Sequence, residues 1–260
     1  MNTALISQLA DRLEKAESSV SSIPPIVADL TAGDVASAYA IQSELTRRGV
    51  RRNRRLVGRK VGLTSQAVQK QLGVDQPDYG ALFADMEIPN DGVVDTERLI
   101  QPRIEAEIAF VLRKGLPNPD TTMGELMSAI DFAVPALEIV DSRIADWKIS
   151  IVDTIADNGS SARYVLGAAP RRLTDVDLET AGMIMTVDGA PASLGSGAAC
   201  LGHPLLAAQW LARTMAKAET PLAEGDVIMS GALGPMYSVK SKQRVEARIG
   251  GFSPVRVTFG

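Results

Sequence analysis

Thiol and imidazole are nearly absent from this chain of 260 residues, which has one cysteine, Cys200, and one histidine, His203. A lone cysteine excludes an intrachain disulfide and any zinc site built from several thiolates, so a bound metal has to be held mainly by oxygen. Long apolar runs are missing too. The longest, such as Phe132 to Val140, fall well short of the roughly 20 residues a membrane helix needs, and no span is expected. The opening Met1-Asn2-Thr3 runs into Asp11, Arg12, Glu14 and Lys15, without the basic start and unbroken apolar core of a signal peptide, which makes the cytoplasm the expected location. Cofactor loops are lacking as well. Gly195-Ser196-Gly197 continues as Ala198-Ala199-Cys200-Leu201-Gly202 and misses the dinucleotide spacing, and no phosphate-binding loop is present. No nucleophile elbow supports a Ser-His-Asp triad, and His203, beside Pro204, reads as a helix cap. A net charge of -4 argues against nucleic acid as the main partner. The local basic run Arg47, Arg48, Arg51, Arg52, Arg54 and Arg55 has no interleaved aromatics to stack bases, and reads as a solvated helix end or a subunit contact.

What is present is 45% hydrophobic and 22% charged residues, enough for a substantial core. Residues 4–18 have the pattern of an amphipathic helix with a polar, proline-stopped exit at Ser18 to Pro25. Asp34 can cap a second helix with its stripe at Val35, Ala38, Ile41 and Leu45, ended by Gly49. These make an N-terminal helical annex, residues 1–55. From Leu56 the texture changes to short apolar runs broken by Gly, Pro and Asp, the mark of a β-rich catalytic domain, residues 56–260. Strands are expected near 56–61, 104–112, 132–141, 163–167, 181–187, 226–230, 244–249 and 254–259. Helices are expected after Thr64 and before Gly73, after the Thr122/Glu125 capping box, and from Pro204. The class is α+β.

In Ile104 to Leu112, alternation puts Ile104, Ala106, Ile108, Phe110 and Leu112 on one face and Glu105, Glu107, Ala109 and Val111 on the other. Both faces are otherwise apolar. A covered strand cannot leave two like charges unpaired, because each ionised carboxylate costs several kcal/mol to bury and the two repel. A cation resolves both problems; an exposed strand start with solvated glutamates is the alternative. Glu138 stands alone in the apolar run Phe132 to Val140 and needs a partner, either the same cation or an arginine such as Arg143. Three oxygen donors suit Mg²⁺ or Mn²⁺ with positions left for water and a chelating substrate.

Lys60 lies between Gly58 and Gly62 where a strand gives way to a helix, placed to bind an anionic substrate or stabilise an enolate, or else exposed. Asp75-Gln76-Pro77-Asp78-Tyr79-Gly80 reads as an acid-rich turn with Asp78 a candidate acid or base. Asp157 to Ser161 offers hydroxyls and amides for a carboxylate, or is an ordinary turn. Ser230 to Pro235 either brings backbone N–H groups to a ligand, Gly231 among them, or merely connects.

The strings Val57-Gly-Arg-Lys-Val-Gly-Leu-Thr64, Leu72-Gly-Val-Asp-Gln-Pro-Asp-Tyr-Gly80, Leu82-Phe-Ala-Asp-Met86, Gln101-Pro-Arg-Ile-Glu-Ala-Glu-Ile108, Pro135-Ala-Leu-Glu138, Ala156-Asp-Asn158, Cys200-Leu-Gly-His-Pro204 and Gly231-Ala-Leu-Gly-Pro-Met236 resemble the fumarylacetoacetase-like hydratase and decarboxylase family, most closely its hydratases of 2-hydroxydienoates. The resemblance spans nearly the whole chain. It implies a mixed β core, barrel- or sandwich-like, with flanking helices, and a homo-oligomer. It puts the family's metal glutamates on Glu105, Glu107 and Glu138, its lysine on Lys60 and its active-site serine region on Ser160 and Ser161. Leu63 and Gly231 join these serines as substrate-binding residues, and Asp78 joins Lys60 as catalytic. The implied reaction is metal-dependent addition of water to 2-hydroxypenta-2,4-dienoate, giving 4-hydroxy-2-oxopentanoate in meta-cleavage breakdown of aromatic compounds. Ser160-Ser161 followed by Ala162-Arg163-Tyr164 is closer to the family's 4-oxalocrotonate decarboxylases, which keeps decarboxylation open. An inactive metal-binding partner subunit is a third possibility, and association with a pathway decarboxylase or aldolase stays open.

Overall fold

The computed structural model describes residues 2–30, 34–65, 69 and 76–260. The first two helices are α1 (Thr3–Ser18) and α2 (Val35–Arg51). Asn2 caps α1 by accepting from the N–H groups of Ala4 and Leu5, and Asp34 caps α2 by accepting from Ser37. Gly49, expected to end α2, lies inside it. An added Cβ there would come within 2.8 Å of the Phe83 ring, so this glycine permits a close approach instead of stopping the helix. The arginine run ties the helices together, with Arg48 bonded to Asp11, Glu14 and Glu44 and Arg52 to Glu14, while Arg54 reaches Asp85.

The strands that follow are β1 (Leu56–Gly62), β2 (Asp78–Phe83), β3 (Glu87–Ile88), β4 (Gly92–Val94), β5 (Arg103–Leu112), β6 (Ile130–Val140), β7 (Ser161–Leu166), β8 (Gly182–Val187), β9 (Ala190–Ser196), β10 (Val227–Met229), β11 (Tyr237–Ser238), β12 (Arg244–Ile249) and β13 (Val255–Phe259). The helices among them are α3 (Met123–Ala129), α4 (Ile151–Ala156) and α5 (Pro204–Lys217). All eight expected strands are present within a few residues. The short β3, β4 and β11 were not expected, nor were β9 and β2; the helix expected after Thr64 falls largely on residues outside those described. The Thr122/Glu125 capping box and the start at Pro204, with His203 Nδ1 accepting from Leu205 N–H at 3.0 Å, are as the sequence indicates.

The larger sheet is mixed, in the order β2-β1-β10-β5-β6-β7-β3 with β11 on β5; a second sheet runs β4-β13-β12-β8-β9. The α+β class follows. Ile104, Ala106, Ile108, Phe110 and Leu112 form one face of β5 and enter the main core with Met185, Val245, Val257, Phe259 and the α5 residues Ala208, Leu211 and Met215. The opposite face carries Ala109 of β5, Val134 and Ala136 of β6, Tyr164 of β7 and Met229 of β10, packed against Leu82, Phe83 and Met86. A third cluster joins Leu9, Leu13, Ala38 and Ile41 of the N-terminal helices to Ile144, Val152, Ile155 and Ala156. No helix among the described residues is long and apolar enough to cross a membrane.

Candidate metal centre

Glu105 and Glu138 are directly opposite each other on the antiparallel pair β5/β6, and Glu107 lies two residues along β5 on the same face. Strand pairing thus brings three carboxylates together, each with an oxygen within 4.8 Å of the others. Glu107 is 0% exposed, which rules out the solvated alternative for it, while Glu105 is partly exposed; Glu138 is 1% exposed. Arg143 is not the partner of Glu138; it is bonded to Asp157 instead, at 2.5 Å. The cation nearest Glu138 is Lys60, its Nζ 3.4 Å from Glu138 Oε1.

These groups strain one another electrostatically. Burial first, then repulsion from Glu138, pushes the Glu105 carboxyl up to about 7, and the same two causes hold Glu107 well above the carboxylate range. Lys60 is only 4% exposed, and burial pushes its ammonium down; Glu138, Asp78, Glu105 and Glu107 outweigh that and hold it above its ordinary value. One ammonium cannot balance this many buried carboxylates. Glu107 Oε2 accepts from the Gly231 N–H at 2.9 Å, but Glu107 Oε1 and Glu138 Oε1 have no hydrogen-bond partner among the described residues. Buried carboxylate oxygens without donors, converging from two strands, fit a divalent cation that takes oxygen ligands.

Asp78 is in a strand instead of the acid-rich turn expected from its neighbours Pro77 and Gly80; Asp75 is outside the described residues. It opens β2 opposite Gly62, 1% exposed, and an added Cβ at Gly62 would collide with Asp78 Oδ1 and lie 3.2 Å from Lys60 Nζ. Burial raises the Asp78 carboxyl, with Lys60 and a long hydrogen bond from Thr154 (3.4 Å) opposing, and Oδ1 has no partner among the described residues. Asp78 is therefore a buried carboxyl beside Lys60. Leu63 continues directly from β1 in a left-handed conformation, φ 55°, and its carbonyl accepts from Gln69. Gly231 follows β10 with φ 108° against the Thr64 side chain, and its N–H is directed to Glu107.

Asp157 to Ser161 is more than an ordinary turn. Asn158, Gly159 and Ser160 are all left-handed, and an added Cβ on Gly159 would lie 2.5 Å from Lys60 Cε. Ser160 Oγ donates to Asp157 at 3.3 Å, and Ser161 Oγ is buried without a partner. Ser161 lines a cavity of about 510 Å³ between the N-terminal helices and β7, whose walls include none of Lys60, Asp78 or the three glutamates. That opening is separate from the carboxylates. The sequence did not single out Arg143 with Asp157, or Asn158, whose amide accepts from Ala81 N–H at 2.7 Å and donates to Ala81 C=O at 3.0 Å. The Asn158-Gly159 pair is the one local signal for this left-handed turn. Arg103, on the Glu105 face, stacks on Trp147 at 4.3 Å.

The chain is similar to known proteins over nearly its whole length. The profile for fumarylacetoacetate (FAA) hydrolase, C-terminal, matches residues 46–259. The chain is 51% identical over 257 residues to the TodF product hydratase of Pseudomonas putida F1, covering 99% of this chain and 96% of that protein. It is 50% identical over 254 residues to the 2-keto-4-pentenoate hydratase of Burkholderia vietnamiensis G4, covering 98% and 97%. A solved 4-oxalocrotonate decarboxylase from Pseudomonas putida G7, complexed with magnesium and adipate, superposes with a TM-score of 0.95 at 36% identity, covering 100% of this chain and 98% of that one.

Proposed function

The chain belongs to the fumarylacetoacetate hydrolase family, and from that premise we propose that it is a 2-keto-4-pentenoate hydratase, a hydro-lyase that adds water to 2-hydroxypenta-2,4-dienoate. The observation that carries the site assignment is the trio Glu105, Glu107 and Glu138, the last two buried with oxygens lacking donors among the described residues, beside a buried lysine. The trio would hold the divalent ion, Mg²⁺ or Mn²⁺, which when bound supplies Lewis-acid polarisation of the 2-oxo acid end of the substrate.

The chain's own groups supply the remainder. A proton placed on C5 of the dienol, with loss of the enol proton, gives the 2-oxo-3-enoate. Water then adds at C4, and a proton returned to C3 completes 4-hydroxy-2-oxopentanoate. Lys60 holds positive charge where the enolate oxygen develops, and it is kept charged by Glu138 and Asp78. Asp78, whose carboxyl is raised by burial, holds or moves a proton; such help is worth roughly 10²- to 10⁴-fold. Leu63, Ser160, Ser161 and Gly231 are assigned to the substrate side. The enzyme acts in the cytoplasm as a homo-oligomer in the breakdown of aromatic compounds.

Purified protein with Mg²⁺ or Mn²⁺ should bleach the 2-hydroxypenta-2,4-dienoate chromophore and yield 4-hydroxy-2-oxopentanoate without releasing carbon dioxide. Release of carbon dioxide from 4-oxalocrotonate with no hydration would transfer the assignment to the decarboxylase branch, to which the Ser160-Ser161-Ala162-Arg163-Tyr164 string is closer. Metal binding with turnover of neither compound would mark an inactive partner subunit.

A further inference from the structure

Arg143 is only 6% exposed, and its guanidinium is engaged by the Asp157 carboxylate and by the backbone carbonyls of Asp141, Asp157 and Ser161. Nε donates to Asp157 Oδ1 at 2.5 Å, Nη2 to the Asp157 carbonyl at 2.6 Å, and Nη1 to the carbonyls of Asp141 at 2.8 Å and Ser161 at 3.3 Å. The Arg143 backbone N–H also reaches Asp157 Oδ2, at 3.0 Å. These bonds grip both ends of the turn whose three inner residues, Asn158, Gly159 and Ser160, have φ of 57°, 61° and 55°. Consecutive left-handed residues persist only where their surroundings over-determine them. A buried ion pair is also an expensive way to hold a turn, since apolar residues of similar volume often do as well. What the ion pair adds is a fixed geometry.

That geometry ends at Lys60. The backbone of Gly159 lies against the lysine, an added Cβ falling 2.5 Å from Cε and 2.9 Å from Nζ. Asn158 grips both backbone groups of Ala81 on the outer edge of β2, and Gly80, the next residue, is the register partner of Lys60. One guanidinium therefore sets the wall along which the lysine is stretched toward Glu138. We propose that Arg143, with Asp157, is a positioning residue that acts through the 157–160 turn to fix the Lys60 ammonium for the reaction. This rests on the assignment of Lys60 to the substrate made above.

The test is a double-mutant cycle of Arg143→Gln, Lys60→Met and the pair, with Arg143→Lys alongside, at 25 °C with saturating Mg²⁺. The readouts are kcat and KM on 2-hydroxypenta-2,4-dienoate, the Kd of the saturated analogue 2-oxopentanoate by calorimetry, and the Kd of Mn²⁺ by electron paramagnetic resonance. A displacement of about 1 Å costs on the order of 10²-fold in rate. Arg143→Gln is accordingly expected to lower kcat roughly 100-fold while the Mn²⁺ Kd stays within about twofold, because the glutamates sit on β5 and β6. Arg143→Lys keeps the charge but not the planar fork and should rescue less than about threefold. In the Lys60→Met background the Arg143 change should cost less than about threefold, in kcat or in analogue Kd, as groups acting as a unit do. Full additivity of the two substitutions, or an unchanged kcat in folded Arg143→Gln, overturns the proposal while leaving Lys60 in place. Wild-type activity in Lys60→Met overturns the Lys60 assignment and this inference with it. If Arg143→Gln does not fold, Asp157→Asn, which keeps the side-chain shape, replaces it in the same cycle.

Discussion

Glu107 has one oxygen satisfied by the Gly231 N–H and one without a donor, among carboxylates that repel it. Glutamine in its place keeps the acceptor for Gly231 and turns the other group into a donor aimed at its neighbours. Glu107→Gln should therefore weaken Mn²⁺ binding by at least about 100-fold, because even outer partners of metal ligands cost 10- to 100-fold. In excess chelator at pH 8 the same variant should melt at or above the wild-type temperature, by about 2–4 °C if the relieved repulsion is near 1 kcal/mol. A lower melting temperature without metal would show that Glu107 is not a strained charge in the free chain. Glu105 makes a pH prediction. Its carboxyl is pushed up to about 7, above its unfolded value, so its favourable contribution to the metal-free fold is complete below the unfolded value and is lost as pH rises through 7. Metal binding needs the ionised forms of Glu105 and of Glu107, whose carboxyl is raised too, so affinity should fall by at least about tenfold per unit of pH below 7, with at least about one proton released per ion at pH 6 and fewer as pH rises above 7. Calorimetry in buffers of different ionisation enthalpy measures that proton directly, and a release that does not change with pH would remove Glu105 from the ligand set.

At the scale of elements, the carboxylate strands were legible because β5 alternates strictly and, from Ile104 to Leu112, both its faces are apolar apart from Glu105 and Glu107, so period and burial pointed the same way. The strand β2 was hidden by its own composition. Asp78 and Gly80 are residue types depleted from strands, yet Asp78 fills the space that a Gly62 side chain would occupy, and Gly80 admits the Asn158 carbonyl. Arg143, five residues away in sequence, was the alternative partner for Glu138, and Lys60 was not read as its neighbour because it arrives through pairing of β1 with β10 and β2, which no local pattern encodes. Gly62→Ala tests this packing. It forces Asp78 and Lys60 apart, and overpacking of this kind typically costs about 1–3 kcal/mol. Activity should be lost at temperatures where circular dichroism still reports a folded chain; full activity would mean that the contact between Gly62 and Asp78 is dispensable. Thr122→Ala is the contrasting control. Loss of that capping box at the start of α3 should cost about 0.5–2 kcal/mol and leave kcat unchanged.

Across the whole molecule, the texture change at Leu56 suggests an annex and a catalytic domain, but the apolar contacts cross that line. Leu9, Leu13, Ala38 and Ile41 share a cluster with Val152, Ile155 and Ala156 of α4. Buried polar bonds reinforce it. The Gln42 amide donates to the carbonyls of Tyr79 at 2.7 Å and Ile155 at 2.9 Å, and Asp153 accepts from the N–H groups of Ile26 and Val27. Tyr79 follows Asp78, and α4 runs directly into the 157–161 turn that backs Lys60, so the first two helices support the wall of the candidate site. Helices joined to a sheet through a common core should not melt separately. Ile41→Ala, which empties a fully buried position, is expected to cost about 2–5 kcal/mol. Helical ellipticity and the fluorescence of Trp147, which stacks on Arg103 beside Glu105, should shift to lower denaturant together, as one transition. Two transitions, with ellipticity lost first and the tryptophan signal unmoved, would make residues 1–55 an independent unit and leave the site to residues 56–260 alone.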